Sequence, residues 1–485
     1  MAMASTNEDK NPMARIIRLA ATAAAVLVLA GCATVDIDQS VKDTNEALPG
    51  FTGGKLELSR TGEQRHAREK LSSELLAKPL SMDGAVQLAL ANSPSVQALI
   101  AQSWSEMATA NQVGRIGNPI FAFERVRVGE ELEIGRLLSI GLLDLITLPQ
   151  RQVISRNQVA QARTQLSANV VEQVSQVRQA WVRAVATRQL LAYAEQVNRS
   201  AQASADLARR MQQAGNFSKL QRARQQAFYA DAASQLASAT HAATAAREEL
   251  VRQLGLTGEQ ARELKLPDRL PDLPKQAQAP TEVSAAATQQ RLDVQLSRLQ
   301  LENAGRSQGL TLLNSLFDIE AGARRDTIFD NAEGTKETGR GFELGIRLPL
   351  FDWGGAQRAS MNAQSLLAAN RYDSVVRAAS SQLRESYSAY RTTYDIARHY
   401  RDEVVPLRNT ISEENVLRYN GMLIGVFELL ADHRDQVGTV MAAINAQQQF
   451  WLAEAGLQSS LIGKPIAMGA TSVSTSTGSG GEAGH

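Results

Sequence analysis

The stretch that decides the fold is residues 166–185, which read LSANVVEQVSQVRQAWVRAV. Its apolar residues recur three or four positions apart, as on one face of an α-helix: Leu166, Val170, Val174, Val177, Trp181 and Val185. The chain around it holds no proline between Pro149 and Pro267. We therefore predict one continuous helix from about 150 to about 214, roughly 100 Å long at the α-helical rise. A helix of that length exceeds a compact domain and must pack along something extended.

The same pattern recurs later in the chain. Four pairs of positions agree at a constant offset of roughly 206 residues, namely Val170 with Val376, Val177 with Leu383, Trp181 with Tyr387, and Gly215 with Gly421. The second seam contains Val376, Ala379, Leu383, Tyr387, Tyr390 and Tyr394. We interpret the body as a tandem repeat with one copy over 81–256 and another over 283–463. Residues 257–282 hold Pro267, Pro271, Pro274 and Pro280, which predict a connector because proline does not propagate a helix.

Each copy also has two strand-like runs ahead of its long helix. In the first copy we predict a short helix after Ser81 that ends near Pro94, a second helix to about Asn111, and a β-hairpin over 119–143. The hairpin strands are Ile120 to Val128 and Leu132 to Leu142. The second strand places apolar residues on one face, interrupted by Arg136: Leu132, Ile134, Leu138, Ile140 and Leu142.

The hairpin of the second copy, predicted over 312–351, alternates more clearly. One side of its first strand carries Phe317, Ile319, Ala321 and Ala323, and the other carries Asp318, Glu320, Gly322 and Arg324. Its partner strand carries Phe342, Leu344, Ile346, Leu348 and Leu350. Such alternation is typical of a transmembrane barrel strand and equally of a half-buried soluble sheet. A soluble coiled-coil bundle explains the seams, but not two hairpins placed identically before two long helices.

The amino terminus predicts export and lipidation. Arg15 and Arg18 precede an apolar run, Leu19 to Ala30, that is short for a membrane span and suited to a signal peptide over 1–31. Gly31 and Cys32, the chain's single cysteine, follow the run, and together with Leu29 and Ala30 they are similar to a bacterial lipobox. The protein starts at Met1 or at Met13. We predict lipidation of Cys32 and a lipidated segment over 32–80. Ala33, in place of aspartate, favours the outer membrane by the sorting rules of such lipoproteins.

Composition excludes several classes of function. The formal net charge of +1 gives no reason to expect nucleic acid, and the five histidines are too scattered for a metal site or a catalytic constellation. The chain has no phosphate-binding glycine loop. We expect no enzyme, no cofactor and no metal. The Ser-, Thr- and Gly-rich end, 464–485, predicts disorder.

Several segments together resemble the TolC-like outer-membrane factor family, from about Leu80 to Gly463. They are Leu80 to Ala85 with Asn92 to Pro94, Arg291 to Val294, Leu348 to Gly355, Tyr419 to Gly421, and Glu428 to Leu430. Leu292 stands where the family often has proline. The resemblance implies a membrane α+β fold: a trimer whose protomers each give four strands to a twelve-stranded transmembrane β-barrel, continuous with a long periplasmic α-helical coiled-coil barrel. Four strands alone leave lipid-exposed edges, so oligomerisation is also a physical requirement.

The resemblance also implies partners and sites. It implies a passive exit duct of a tripartite efflux pump, joined to a periplasmic adaptor and an inner-membrane pump of the resistance–nodulation–division type. The adaptor would contact two helix-turn-helix tips, one formed by Gly215, Asn216, Phe217 and Ser218 and the other by Gly421, Met422, Leu423, Ile424 and Gly425. Their plain alternative is ordinary loop glycines. Glu428 and Asp432 would form a carboxylate ring at the periplasmic aperture, or else belong to a solvated helix face.

Two other functions remain open on the sequence. One is the outer-membrane duct of a type I-like secretion system, which differs only in its partner. The other is a non-conducting, periplasm-spanning structural lipoprotein, against which the charges of Asp318, Glu320 and Arg324 on the expected lumen face argue. The cargo, whether drug, metal ion, solvent or protein, does not follow from the residues.

Overall fold

A computed structural model describes residues 35–278, 290–330 and 332–464. The predicted signal peptide 1–31, the lipidation site Cys32, Pro280 of the connector and the predicted tail after Lys464 lie outside these residues.

The segment between the lipidation site and the first repeat contains three helices that the sequence analysis did not predict. They are α1 (Ile37–Ala47), α2 (Pro49–Thr52) and α3 (Gly62–Leu76). Thr61 opens α3 with a capping box, in which its side chain accepts from the backbone of Gln64 and the Gln64 side chain accepts from the backbone of Thr61. Residues 35–80 are therefore more than a tether.

The two helices predicted next are confirmed as α4 (Met82–Asn92) and α5 (Pro94–Val113). Ser81 caps α4 by accepting a hydrogen bond from the backbone of Gly84. Pro94 is the first residue of α5, where its missing N–H costs nothing.

Four strands form one antiparallel sheet in the order β1-β2-β3-β4. They are β1 (Ile120–Val128), β2 (Glu131–Gly141), β3 (Ile319–Asp330) and β4 (Thr335–Ile346). Both hairpins are confirmed, but three predicted ends were wrong. Leu142 begins a helix, residues 312–316 are helical, and β4 stops at Ile346. Leu348 and Leu350 continue the alternation, but Pro349 between them has no N–H to pair.

The long helix of the first copy is α6, Leu142–Gln213, a single helix of 72 residues. The predicted start near 150 was wrong, because Pro149 lies inside the helix rather than before it. After a turn the chain continues as α7 (Lys219–Leu254). All six residues of the quoted seam are buried, as predicted.

The second copy repeats the order of hairpin, long helix, turn and further helix, but its long helix is interrupted. Its helices are α9 (Leu292–Leu316), α10 (Gly355–His399), α11 (Val405–Asn420) and α12 (Val426–Ile462). A π-helical turn, Tyr400–Val404, separates α10 from α11. Pro406 explains it, since a proline removes a backbone donor and its ring crowds the carbonyl one turn earlier. The periodicity of the sequence did not predict this break.

The second seam packs into an aromatic core. Leu383, Tyr390 and Tyr394 are each 1% exposed and lie against Phe450, which is fully buried. The ring centroids of Tyr390 and Tyr394 are 5.6 and 5.7 Å from that of Phe450. Such aromatic pairs contribute beyond the area that they bury.

The predicted connector contains one short helix, α8 (Gly258–Glu263), which is capped by Thr257 and lies ahead of the prolines. Its remaining residues to 278 are pinned to the helices. Four leucines are buried, namely Leu264, Leu266, Leu270 and Leu273. Trp451 Nε1 donates to Pro271 O at 3.0 Å, and Tyr394 Oη donates to Pro274 O at 3.1 Å.

The repeat is visible in hydrogen bonds as well. Trp181 Nε1 donates to Leu80 O at 2.8 Å, just before α4. Tyr387, the repeat counterpart of Trp181, donates its Oη to Gln278 O at 3.2 Å, in the segment that leads into the second copy. Related aromatic residues thus fasten the chain at the entrance of each copy.

The described residues divide into two compact units. One contains 35–40, 102–163 and 299–369, and so holds the sheet; the other contains 41–101, 164–278, 290–298 and 370–464 and is helical. Among the described residues no helix is both long and apolar enough to cross a membrane.

Candidate channel-forming surfaces

Both edges of the sheet are open among the residues that the structure describes. Strands β1 and β4 lie on the outside of the order β1-β2-β3-β4, and every residue of both strands is exposed. An edge strand with no neighbour presents unpaired N–H and C=O groups along its whole length. The sheet therefore has two long edge strands whose outer backbone groups are free to pair.

One face of the sheet is acidic. Residues directly opposite each other across a ladder share a face, so the three registers assign every side chain to one of two faces. The face that includes Glu320 carries eight carboxylates: Glu124, Glu131, Glu133, Glu320, Asp326, Asp330, Glu337 and Glu343. Its single basic residue is Arg324. We call it the acidic face.

Arg324 is surrounded by carboxylates from three strands. Its Nε lies 2.8 Å from Asp326 Oδ2, and its Nη2 lies 3.8 Å from Glu124 Oε2 and 4.0 Å from Glu133 Oε1. The acidic face thus neutralises its only cation internally. The remaining carboxylates leave this face strongly negative.

The opposite face is apolar at the end of the sheet where the strands join the helices. One register row there is Phe121, Leu138, Ala323 and Phe342, and the next is Ile140, Ala321 and Leu344. The alternation within single strands predicted that Leu138 and Ile140, Ala321 and Ala323, and Phe342 and Leu344 each lie on one side of their strand, and the register places all of them, with Phe121, on one face. Phe342 is 90% exposed and Phe121 63% exposed, an unusual extent of uncovered aromatic surface for a sheet that faces only water.

The first tip has the turn chemistry that the sequence predicted. Gly215 has φ +80° and ends α6 in a Schellman motif, with Asn216 N donating to Met211 O at 2.9 Å. Ser218 then caps α7 by accepting from Gln221 N at 3.1 Å. Phe217, between them, is half-buried.

The second tip corrects the sequence analysis by one residue. Gly421 was predicted to occupy the position of Gly215, but its φ is −81°, and Met422 takes the left-handed conformation with φ +59°. The same Schellman bonds run from Met422 N to Tyr419 O and from Leu423 N to Arg418 O. Counterparts at the tips are therefore offset by one residue more than in the long helices.

The two tips contact each other through aromatic rings. Phe217, before α7, stacks on Phe427, in the first turn of α12, with ring centroids 4.2 Å apart. Met422 and Leu423 project outward, 94% and 73% exposed, while Ile424 is buried and Gly425 caps α12. The tips form one surface with two exposed apolar side chains.

The two predicted aperture residues, Glu428 and Asp432, have different surroundings within the chain. Glu428 is exposed, in the first turn of α12, where a carboxylate is favoured by the helix dipole. Asp432 is only 8% exposed, and its Oδ1 lies 3.8 Å from Nη1 of Arg408 on α11. Arg408 Nη2 also lies 2.9 Å from Asp435 Oδ2. Oδ2 of Asp432 is buried without a hydrogen-bond partner among the described residues.

Arg408 and the conformation of Met422 are features of these surfaces that the sequence analysis missed. Arg408 lies on the helix before the tip, and an arginine in an amphipathic helix gives no local sign of its partner. No group of His, Cys, Asp and Glu side chains suited to a metal ion occurs among the described residues.

Comparison with known proteins gave no match to any family model and none to any curated protein. Solved structures do match. A membrane protein from Pseudomonas aeruginosa is 18% identical with a TM-score of 0.65, covering 78% of this chain and 93% of its own.

Of two further structures, one is described as an outer membrane channel and the other as an outer membrane protein. The Campylobacter jejuni CmeC outer membrane channel is 14% identical with a TM-score of 0.64, covering 83% of this chain and 86% of its own. The outer membrane protein VceC from Vibrio cholerae, also 14% identical with a TM-score of 0.64, covers 79% and 96%. The chain therefore has the fold of outer-membrane channel proteins, the fold that its resemblance to the TolC-like outer-membrane factor family implies.

Proposed function

We propose that this chain is the protomer of a trimeric outer-membrane channel, anchored by lipid at Cys32, that serves as a passive exit duct. An inner-membrane pump of the resistance–nodulation–division type and a periplasmic adaptor supply the substrate, and the adaptor contacts the tips described above. The chain itself carries out no catalysis. The type I-like secretion duct remains the second candidate, since it shares every feature of the protomer.

The observation that carries the proposal is the sheet with two open edges and two chemically different faces. In a bilayer every backbone polar group needs a partner, so an open four-stranded sheet has no stable place there. Three copies joined edge to edge give twelve strands, an even number as in bacterial barrels. The apolar face then meets lipid, and the acidic face lines a water-filled lumen.

The first test is pore formation by the full chain. Purified protein added to planar bilayers should give discrete conductance steps, and native mass spectrometry should give three chains per particle. A water-soluble monomer that produces no conductance and no leakage from liposomes would remove the proposal and favour the structural lipoprotein. Mass spectrometry of the crosslinked native complex identifies the pump, and so separates efflux from secretion.

The aperture has its own test. Glu428 and Asp432 are proposed to constrict the periplasmic end, with Arg408 holding Asp432 between α11 and α12. Replacing both carboxylates by their amides should change single-channel conductance and block by divalent cations. Glu259→Gln, an exposed carboxylate on α8, is the matched control. Traces that are the same for all three proteins would withdraw the aperture assignment.

A further inference from the structure

The face of the sheet opposite the acidic face carries a second pattern beyond its apolar band. It bears six basic side chains, namely Arg125, Arg127, Arg136, Arg325, Lys336 and Arg340, and its four strands contribute no carboxylate to it. We call these six residues the basic belt. The neighbouring Arg324 and Arg325 therefore point to opposite faces with opposite surroundings.

The register places three arginines of the basic belt side by side. Arg136 on β2 lies opposite Arg325 on β3, which lies opposite Arg340 on β4. Side chains directly opposite in antiparallel strands have Cβ atoms only about 5 Å apart, and like charges there are destabilising. Such a row is stable only where something compensates its charge.

The protein does not supply that compensation within the residues that the structure describes. Arg125, Arg127, Arg325 and Arg340 are exposed, and no ion pair joins them to a carboxylate of the described chain. Arg136 has one long contact, from Nη1 to Thr327 Oγ1 at 3.5 Å, and Lys336 lies over the ring of Phe329. Arg324, by contrast, has three carboxylates around it. An anion from outside the chain would compensate these charges.

The position of the basic belt defines what kind of anion. Arg125, Arg127 and Lys336 lie toward the two hairpin turns, whereas the exposed aromatic rows lie toward the strand ends that continue into helices. On the proposed function, on which this inference rests, the apolar rows meet acyl chains. The basic belt then stands at the headgroups of the leaflet on the hairpin-turn side, which is the outer leaflet. Arginine is suited to phosphate because its guanidinium donates two parallel hydrogen bonds.

We propose that the basic belt, centred on the row Arg136, Arg325 and Arg340, binds the phosphorylated headgroup of an outer-leaflet glycolipid of the lipid A class. The acyl chains of that lipid lie along the aromatic rows of the same face, and its phosphate groups separate the three guanidinium groups. The site would fix the barrel's depth and surround it with tightly held lipid.

The test measures lipid binding to the full-length trimer in detergent by native mass spectrometry, with lipid A as the probe and phosphatidylcholine as the comparison. Wild-type protein should retain lipid A and not phosphatidylcholine. Arg325→Gln combined with Arg340→Gln should raise the apparent Kd by about tenfold for each arginine removed. Arg347→Gln, an arginine that follows β4 and is paired with Asp318, is the control and should bind as wild type.

Equal lipid A binding by the double variant and wild type overturns the inference, as does an equal loss in Arg347→Gln. If the glutamine variant does not assemble, Arg325→Lys with Arg340→Lys keeps the charge but loses paired donation, and an affinity unchanged from wild type then counts against the site. Conductance of the same preparations separates the two proposals. A pore without lipid A binding refutes only the basic belt, whereas absence of any pore refutes the channel itself.

Discussion

Met422 has a backbone conformation that is costly for its side chain. A residue other than glycine in the left-handed region destabilises the folded state by on the order of 1 kcal/mol. The side chain of Met422 is 94% exposed, so packing within the chain does not offset this cost. We expect Met422→Gly to stabilise the second tip by about 1 kcal/mol. Hydrogen exchange at the amides of Met422 and Leu423 should slow by about fivefold.

At the first tip the opposite substitution, from glycine to a residue with a Cβ, can be made at Gly215. It has φ +80°, and no atom lies within 4 Å of the position that a Cβ would take, so Gly215→Ala adds backbone strain and no clash. Exchange at Asn216 should speed up by about the same factor. If Met422→Gly also speeds exchange, strain is not what distinguishes the second tip.

Arg178, which is buried, and Glu454, which is half-buried, are two charged residues that influence each other electrostatically. Arg178 is 7% exposed and donates to Gln458 Oε1 at 2.7 Å and to Gly50 O at 2.6 Å, and burial lowers its pKa. Burial raises the pKa of Glu454 above its usual value near 4.5, opposed by the charge of Arg178 and the hydrogen bond from Gln458, and reinforced by Asp83. Folding therefore favours the protonated form of Glu454.

The sign of the resulting pH dependence follows from linkage. A group whose pKa is higher in the folded state contributes stability at low pH, and that contribution is lost as pH rises through the folded pKa. We expect the difference in Tm between Glu454→Gln and wild type to grow in favour of the variant as pH rises above about 4.5 toward neutrality. Parallel melting curves at every pH would mean that Glu454 titrates as in the unfolded chain.

At the scale of elements, two glycines join the ends of the repeats. Gly255 follows α7 with φ +66°, and a Cβ there would lie 2.5 Å from Pro94 Cδ at the start of α5. Gly463 follows α12 with φ +95°, and a Cβ there would lie 2.8 Å from the backbone nitrogen of Leu292 at the start of α9. In each copy, the end of the helix after the tip thus packs against the start of the helix that precedes the hairpin.

Adding a methyl group at either junction should be costly, because the contacts include backbone and both φ values are positive. We expect Gly255→Ala and Gly463→Ala each to destabilise the protein by about 2 kcal/mol, from strain and overpacking together. Chemical unfolding followed by tryptophan fluorescence measures the change. Gly258→Ala, three residues beyond the first junction and with open space around it, should be neutral or slightly stabilising.

These elements show which parts of the fold were accessible from sequence. The seam from Leu166 to Val185 and the hairpins were predictable, because period and alternation express burial directly. The reach of α6 through Pro149 and the π-turn before Pro406 were not, since a proline near a helix start is tolerated or disruptive according to the packing around it. Met422 was missed because glycine is the residue expected in a left-handed turn.

At the scale of the whole molecule, the two faces of the sheet differ in chemistry. The apolar face suits the proposed contact with lipid, and the acidic face suits a pore that prefers cations. Alternation along single strands revealed polar and apolar sides, but not that carboxylates and arginines separate between faces, because that depends on the register across four strands. Arg136 interrupts the apolar alternation of its own strand. Strand pairing places it in a row with Arg325 and Arg340, which the sequence of one strand does not reveal.

The acidic face leads us to predict the ion selectivity of the pore. Glu337 and Glu343 lie on β4, exposed and with no ion pair to a basic residue among the described residues, so in a trimer they add six uncompensated negative charges to the lumen. Fixed charge lining a pore concentrates ions of opposite sign. We expect the wild-type pore to prefer cations and Glu337→Gln with Glu343→Gln to reduce the cation-to-anion permeability ratio about twofold.

Reversal potentials in asymmetric potassium chloride measure that ratio for single pores. Glu259→Gln, which removes an exposed carboxylate remote in sequence from the sheet, should leave the reversal potential at the wild-type value. Raising the salt concentration should shrink the difference between the double variant and wild type, because screening shortens the reach of the lumen charges. An anion-preferring wild-type pore, or a double variant with unchanged selectivity at low salt, would show that the acidic face does not line the conducting path.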